Sequence, residues 1–235
     1  MVRFKHCAFV AMEPQTAHVK AWVGDIDFNH WKYDKVTAQR QPGSTFKLFV
    51  YTEAMEQGLT PCDKRRDEYF SMKVWDATKK QEVTWAPTNA NGTFSNDSMP
   101  LRAAFARSIN SVAVRLGQEM GIKNIIETAH VMGIKSPLDE APALALGSSD
   151  VNLLEMANAY STVANDGKAH PEAILVTKIL DREGNEIYVA PSEQKQAISL
   201  KAAYFMQKLL QAGMRDAGGT SQSLWGYVGE FRDTE

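Results

Sequence analysis

Gln39-Arg40-Gln41-Pro42-Gly43-Ser44-Thr45-Phe46-Lys47, continued by Leu48-Phe49-Val50-Tyr51-Thr52-Glu53-Ala54-Met55-Glu56-Gln57-Gly58, is the stretch on which the reading of this chain turns. Pro42 and Gly43 break the extended segment before them. The apolar spacing Phe46, Phe49, Val50, Ala54 then predicts a helix that ends at Gly58, so Ser44 opens a buried helix. Lys47 follows three residues later, on the same helical face, close enough for an amine to take a hydroxyl proton. A serine hydroxyl is a weak nucleophile without such a partner. The helix N-terminus adds backbone N–H groups and a positive dipole end, which suit a depressed lysine pKa and an oxyanion developing beside Ser44. The same residues also read as an N-cap serine followed by a solvated lysine, and roughly one Ser-x-x-Lys arises by chance in a chain of this size. Ser192-Glu193-Gln194-Lys195 is such a copy, lying after Pro191 in a polar run and cut off from the next helix by a start signal at Ser199.

The 235 residues can bury one substantial core or two small ones. A formal net charge of −2, with no Lys/Arg stripe interleaved with aromatics, argues against a nucleic-acid partner. Cys7 and Cys62 have no metal or redox spacing, and His6, His18, His30, His130 and His170 form no ligand pair at helical spacing, so neither a metal nor a cofactor is expected. No apolar run is long enough to cross a bilayer, and the first residues lack the apolar stretch of a signal peptide. Taken literally this places the chain in the cytoplasm, but its abrupt start is that expected of a piece cut from something larger.

Outward from the Ser44 stretch, His6 to Met12 and His18 to Val23 read as a hairpin around Glu13-Pro14-Gln15-Thr16, at the edge of a larger sheet. Gly24 to Arg40 reads as a polar-aromatic loop whose rings either pack on the helix or line a cleft. Beyond the helix lie strand-like patches at Phe70–Lys73 and Val83–Trp85, then turn formers at Asn89-Ala90-Asn91-Gly92. The glycosylation patterns Asn91-Gly92-Thr93 and Asn96-Asp97-Ser98 read as turns. Pro100 starts a helix running from Leu101 to Arg107, and a second helix spans Ser111 to Met120. Ser108-Ile109-Asn110 sits at the break, where both polar side chains either project from one corner or simply cap the second helix. A short helix, Lys123 to Met132, is followed by a loop from Pro137 to Ser149. Asp150 is read as the N-cap of a long helix to Asn165, with Leu153, Met156, Ala157 and Tyr160 in its buried stripe. A second hairpin surrounds Asp181-Arg182-Glu183-Gly184, and Ser199 caps a last helix that stops at Gly213. Gly213 to Thr220 is glycine-rich like a phosphate loop, but Gly219 stands where the lysine belongs.

Arg40-Gln41-Pro42-Gly43-Ser44-Thr45-Phe46-Lys47, Trp85-Ala86-Pro87-Thr88-Asn89 with Gly92, Leu101 to Asn110, and Leu144 to Val151 followed by Leu154-Glu155-Met156 together resemble the transpeptidase domain of a bacterial class A penicillin-binding protein, over essentially the whole chain. The resemblance implies an α+β fold of the penicillin-binding protein and β-lactamase type: an antiparallel sheet flanked by helices, with the site between the sheet edge and a helical lobe. It also implies peptidoglycan cross-linking. Ser44 would be the nucleophile on the penultimate D-Ala carbonyl of a stem peptide, and Lys47 its general base. Ser108 would relay a proton to the leaving amine, and Asn110 would bind the donor peptide and orient Lys47. β-Lactams would acylate Ser44.

The family's Lys-Thr/Ser-Gly strand motif is absent from the sequence; Lys135-Ser136-Pro137 is the nearest tripeptide, with proline in place of the needed glycine. The resemblance therefore leads one to expect that residues 1–235 are a partial transpeptidase domain lacking its C-terminal strands. The preceding glycosyltransferase domain and membrane anchor, which would hold the full-length protein at the extracytoplasmic face of the inner membrane, would be absent too. Weak or no activity is expected of the chain alone, because one oxyanion donor is lost. The rival readings are a D-Ala-D-Ala carboxypeptidase or serine β-lactamase, and a β-lactam sensor or non-catalytic scaffold.

Overall fold

A run of large apolar residues with a single lysine at its head folds as the central helix of the molecule. The computed structural model describes residues 6–76 and 79–224. The elements are β1 (Phe9–Met12), β2 (Val19–Val23), a 3-10 turn (Gly43–Phe46), α1 (Lys47–Glu56), β3 (Lys64–Arg66), β4 (Met72–Asp76), β5 (Gln81–Trp85), β6 (Ser98–Pro100), α2 (Leu101–Ala106), α3 (Asn110–Met120), α4 (Ile122–Val131), a second 3-10 turn (Pro142–Leu146), α5 (Leu153–Ala164), β7 (Lys168–Ala169), β8 (Lys178–Leu180), β9 (Glu186–Val189), β10 (Lys195–Gln196) and α6 (Leu200–Arg215).

Every residue from Lys47 to Met55 is buried, because α1 is packed by α3, α4 and α6 at once. A helix enclosed on all sides needs no polar face, which is why Leu48-Phe49-Val50-Tyr51 runs without interruption. Two of its buried polar side chains are paired: Thr52 Oγ1 donates to the Leu48 carbonyl at 2.8 Å, and Glu53 accepts from Gln57 at 2.7 Å and from Thr128 at 2.5 Å, whereas the buried Tyr51 hydroxyl meets no partner among the described residues. The lobe is closed on another side by Arg102, which forks onto Asp216 at 2.6 and 2.7 Å and ties α2 to the end of α6.

Among the described residues all the sheets are two-stranded and antiparallel. The first hairpin forms as read, but among the described residues β1–β2 pairs with no third strand and is instead supported by α5 and by a parallel bridge from His18 to Ile174. The pairing of β3 with β6 was not read from the sequence, since each strand has only three residues and the register joins segments more than thirty residues apart. The hairpin β8–β9 forms around Gly184 as expected, and its strands are exposed.

Several boundaries differ from the reading above. The α-helix starts at Lys47, and Ser44 lies one turn earlier in the 3-10 segment, exposed. α5 is capped by Asn152, whose side chain accepts from Glu155 N at 2.8 Å, and not by Asp150. The cause is a backbone bridge in which Arg40 and Val151 exchange hydrogen bonds of 2.9 and 3.0 Å, holding the chain extended past Asp150. Leu153 is 37% exposed, so it is not part of the buried stripe. Pro142–Leu146 is helical within the supposed loop. α6 continues through Gly213 to Arg215, and the returning chain crosses at that glycine: Ser221 N donates to Gly213 O at 3.0 Å. The loop aromatics Phe28, Trp31 and Tyr33 face outward with 72, 48 and 57% exposure rather than packing on α1. They edge a cavity of about 400 Å³ shared with Trp22 and Asp34.

Gly147 ends the second 3-10 turn with φ +75°, and a β-carbon there would lie 2.3 Å from the Gly43 carbonyl oxygen. The loop Leu144–Ser149 is thereby pressed against the turn carrying Ser44, and Gln41 Nε2 adds a 3.0 Å bond to the Ser148 carbonyl. Left-handed backbone costs a non-glycine residue roughly 1–2 kcal/mol. Gly147→Ala, which adds the clash to that cost, is expected to lose about 2 kcal/mol or more in urea denaturation. Gly43→Ala, whose φ is +57° but whose β-carbon would meet nothing within 4 Å, should lose only about 1 kcal/mol.

Candidate active site

Pro42 and Gly43 start the 3-10 turn, and the α-helix takes over at Lys47. A 3-10 turn has three residues per turn, so side chains at i and i+3 eclipse, which sets Ser44 above Lys47 more directly than an α-helix would. Ser44 does not act as a cap. The turn is capped by Pro42 and the helix by Phe46, neither with a side-chain bond, and among the described residues no hydrogen bond engages Ser44 Oγ. The solvated-lysine reading also fails, since Lys47 is only 2% exposed.

A buried ammonium carries three N–H donors and is costly unless each finds an acceptor. Lys47 Nζ donates to the Ser108 carbonyl at 2.8 Å, to Ser108 Oγ at 2.9 Å and to Asn110 Oδ1 at 2.6 Å. All three acceptors come from the corner between α2 and α3. Burial nonetheless lowers the Lys47 pKa from 10.5 to about 8. When Lys47 is neutral it has two donors and a lone pair. Of its three partners only the Ser108 hydroxyl can turn and donate to that lone pair, so Ser108 is the member able to move a proton through the cluster.

The corner is shaped by strain and by a distant cap. Ser108 adopts φ +54°, which turns its carbonyl and its hydroxyl together toward Lys47. Neither Ser108 nor Asn110 caps α3: its N-cap is Ile109, without a side-chain bond, and the first N–H groups at Asn110 and Ser111 donate to Asn89 Oδ1 at 2.9 and 3.2 Å. Asn110 is thereby free to use its side chain elsewhere, and its Nδ2 donates to the Thr88 carbonyl at 2.8 Å. Behind Ser44, Tyr160 donates to the Thr45 carbonyl at 3.1 Å, and burial raises its pKa to about 12, so it is a neutral donor.

The structure therefore brings Lys47, Ser108 and Asn110 into one hydrogen-bonded cluster with exposed Ser44 a turn away. The second Ser-x-x-Lys does not take part; Ser192 and Lys195 are exposed, and Lys195 belongs to the small strand β10. Lys135 pairs with Glu172 at 2.8 Å on the surface. A cavity of about 670 Å³ lies beside the turn, lined by Arg40, Pro42, Thr45, Val151 and Tyr160, but neither Ser44 nor Lys47 lines it. Among the described residues no group of three metal-ligating side chains occurs. Sequence reasoning missed Asn89 as a side chain with a job. It lay in a quoted stretch, yet its cap bond spans 21 residues and leaves no local signature.

The Ser108 strain is testable. Ser108→Gly and Ser108→Ala both remove the hydroxyl, but only glycine relaxes the left-handed backbone. The glycine variant is expected to be more stable than the alanine variant by about 1 kcal/mol in chemical denaturation.

A family model described as the penicillin binding protein transpeptidase domain matches residues 7–229. The chain is 35% identical over 209 residues to penicillin-binding protein 2D of Bacillus subtilis, covering 88% of this chain and 29% of that protein. It is 33% identical over 215 residues to penicillin-binding protein 1A of Neisseria lactamica, covering 88% and 26%. The chain thus spans under a third of the length of these relatives. The crystal structure of penicillin-binding protein 1A from Haemophilus influenzae superposes with a TM-score of 0.84 at 25% identity, over 94% of this chain and 38% of that one. The D,D-transpeptidase domain from Eggerthella lenta shares the fold, with a TM-score of 0.74 at 21% identity over 92% and 62%. With its sequence matched nearly end to end and its fold superposed, this chain belongs to the penicillin-binding protein transpeptidase family.

Proposed function

We propose that the chain carries out serine acyl transfer on peptidoglycan stem peptides ending in D-Ala-D-Ala. The observation that carries the reading is the buried Lys47 amine, held by three acceptors from Ser108 and Asn110 beside an exposed, unengaged Ser44. Lys47, neutral and turned toward the turn before it, takes the Ser44 proton as Ser44 Oγ bonds to the penultimate D-Ala carbonyl carbon. As the tetrahedral adduct collapses, the C–N bond to the terminal D-Ala breaks. The leaving nitrogen takes a proton from Ser108 Oγ, which is resupplied by Lys47. An amine of a second stem peptide then attacks the acyl-enzyme, giving a cross-link and restoring Ser44. Asn110 keeps Lys47 aimed and offers its amide to the donor peptide. A β-lactam follows the same first step and remains on Ser44, because its leaving nitrogen stays tethered.

No helix among the described residues is long and apolar enough to cross a membrane. By its relatives' class, we assign the chain to a longer membrane-anchored protein working at the extracytoplasmic face, beside a glycosyltransferase domain.

Incubation with a fluorescent penicillin should label the chain, one label per molecule, and Ser44→Ala should abolish the labelling. Absence of labelling, or equal labelling of the alanine variant, would overturn the acyl-transfer reading. The labelling rate should rise about tenfold per pH unit below about 8 and level off above it, because only neutral Lys47 accepts the proton and burial sets its pKa there. Nitrocefin should be opened once per molecule; steady turnover would instead mark a β-lactamase.

A further inference from the structure

The buried carboxylate of Asp67 has no part in the mechanism above. It lies just beyond β3, with 3% exposure. Its Oδ1 accepts from Ser111 Oγ at 2.6 Å and from Asn89 Nδ2 at 2.8 Å, and its Oδ2 accepts from Ser95 N at 2.8 Å. Its own backbone is held between Asp97 O at 3.0 Å and Asn96 N at 2.8 Å. Burial acts to raise the pKa of this carboxyl, but the hydrogen bonds from Ser111, Ser95 and Asn89 outweigh it and hold the group below the usual carboxylate value. It is ionised at neutral pH and accepts at both oxygens.

The consequence falls on Asn89. Its Nδ2 has two acceptors, Asp67 Oδ1 and the Thr93 carbonyl at 2.9 Å, so its Oδ1 must face the other way, toward the N–H groups of Asn110 and Ser111. The adjoining Thr88 carbonyl takes the Asn110 side-chain amide, leaving Asn110 Oδ1 for Lys47. Hydrogen bonds thus run from Asp67 through Asn89 to the backbone N–H of Asn110, and the covalently adjoining Thr88 carbonyl holds the Asn110 side chain that reaches the Lys47 amine.

The geometry points to Asp67 and Asn89 as a positioning pair for the acyl-transfer site: Asp67 fixes the orientation of the Asn89 amide, and Asn89 and its neighbour Thr88 place Asn110 against Lys47. This rests on the acyl-transfer reading for its functional consequence, though not for its geometry. Asp67 is a positioning residue that touches neither substrate nor reacting atoms.

Asp67→Asn keeps the side chain's size but sets an N–H donor against Asn89 Nδ2, Ser111 Oγ–H or Ser95 N–H. Two readouts are expected to move. Labelling by fluorescent penicillin should slow about tenfold or more, the scale that follows when a reacting group is misplaced by a fraction of an ångström. The Lys47 titration, followed in 13Cε NMR spectra and assigned with Lys47→Arg, should shift to lower pH, because the ammonium loses an acceptor that favours it. Asn110→Ala should reproduce both changes, and the double variant should add nothing to either. If Asp67→Asn lowers the melting temperature but leaves labelling and titration unchanged, or if its effects multiply with those of Asn110→Ala, the pair is structural only and the proposal fails. Should Asp67→Asn not fold, Asn89→Asp answers the same question by setting two carboxylates face to face, with the same outcomes for and against. If the wild-type chain takes no label, the acyl-transfer reading fails separately, and the Lys47 titration still decides the positioning role.

Discussion

A buried amine needs three acceptors, and around Lys47 they are supplied from more than sixty residues away. An ammonium at the head of a helix packed on every side is tolerable only because Ser108 and Asn110 meet all of its N–H groups. Much of the helical lobe follows from that demand. α2 must stop at Arg107, Ser108 must turn left-handed, and α3 must begin at Asn110 for two side chains and one carbonyl to converge on a single nitrogen. The remaining desolvation depresses the pKa of Lys47 to about 8, so stability and reactivity have one cause.

The acceptors are themselves held by a chain of dependence leading away from the site. Asn89 caps α3 from outside the helix, and Asp67 orients Asn89. On the opposite flank, Gly147 allows the Leu144–Ser149 loop to abut Gly43, while the Arg40–Val151 bridge holds the strand leading into the turn. The exposed serine therefore sits on a turn clamped on one side by backbone contact, with its lysine clamped on the other by side-chain hydrogen bonds. Rigid support of this kind suits a group whose reaction depends on orientation more than on motion.

Much of this was legible locally. The helix after Pro42-Gly43, the helix started by Pro100, the hairpins at Glu13–Thr16 and Asp181–Gly184, and the cap at Ser199 all formed where patterns of period two or three to four met turn residues. What misled was equally local: Asp150 looks as good a cap as Asn152, and Gly213 as good a stop as any. In both places a contact from a distant segment decided the boundary, Arg40 in one case and the returning chain at Ser221 in the other. The loop aromatics were legible only as rings that either pack on the helix or line a cleft; in the fold they stay largely exposed and edge a cavity beside Trp22.

The sequence by itself determined which residues are candidates for chemistry and which elements carry them, since Ser44 and Lys47 are linked by one turn and Ser108 and Asn110 by one corner. It also carried the family resemblance through four stretches in order. Only the tertiary structure decided that Lys47 is buried, that its partners are Ser108 and Asn110, that the copy at Ser192 lies apart from them, and that Asp67 and Asn89 are hydrogen-bonded behind Asn110. The reason is physical: helix and turn signals act over a few residues of backbone. The pairing of buried polar groups is settled by which distant segments the packed core brings within three ångströms of each other.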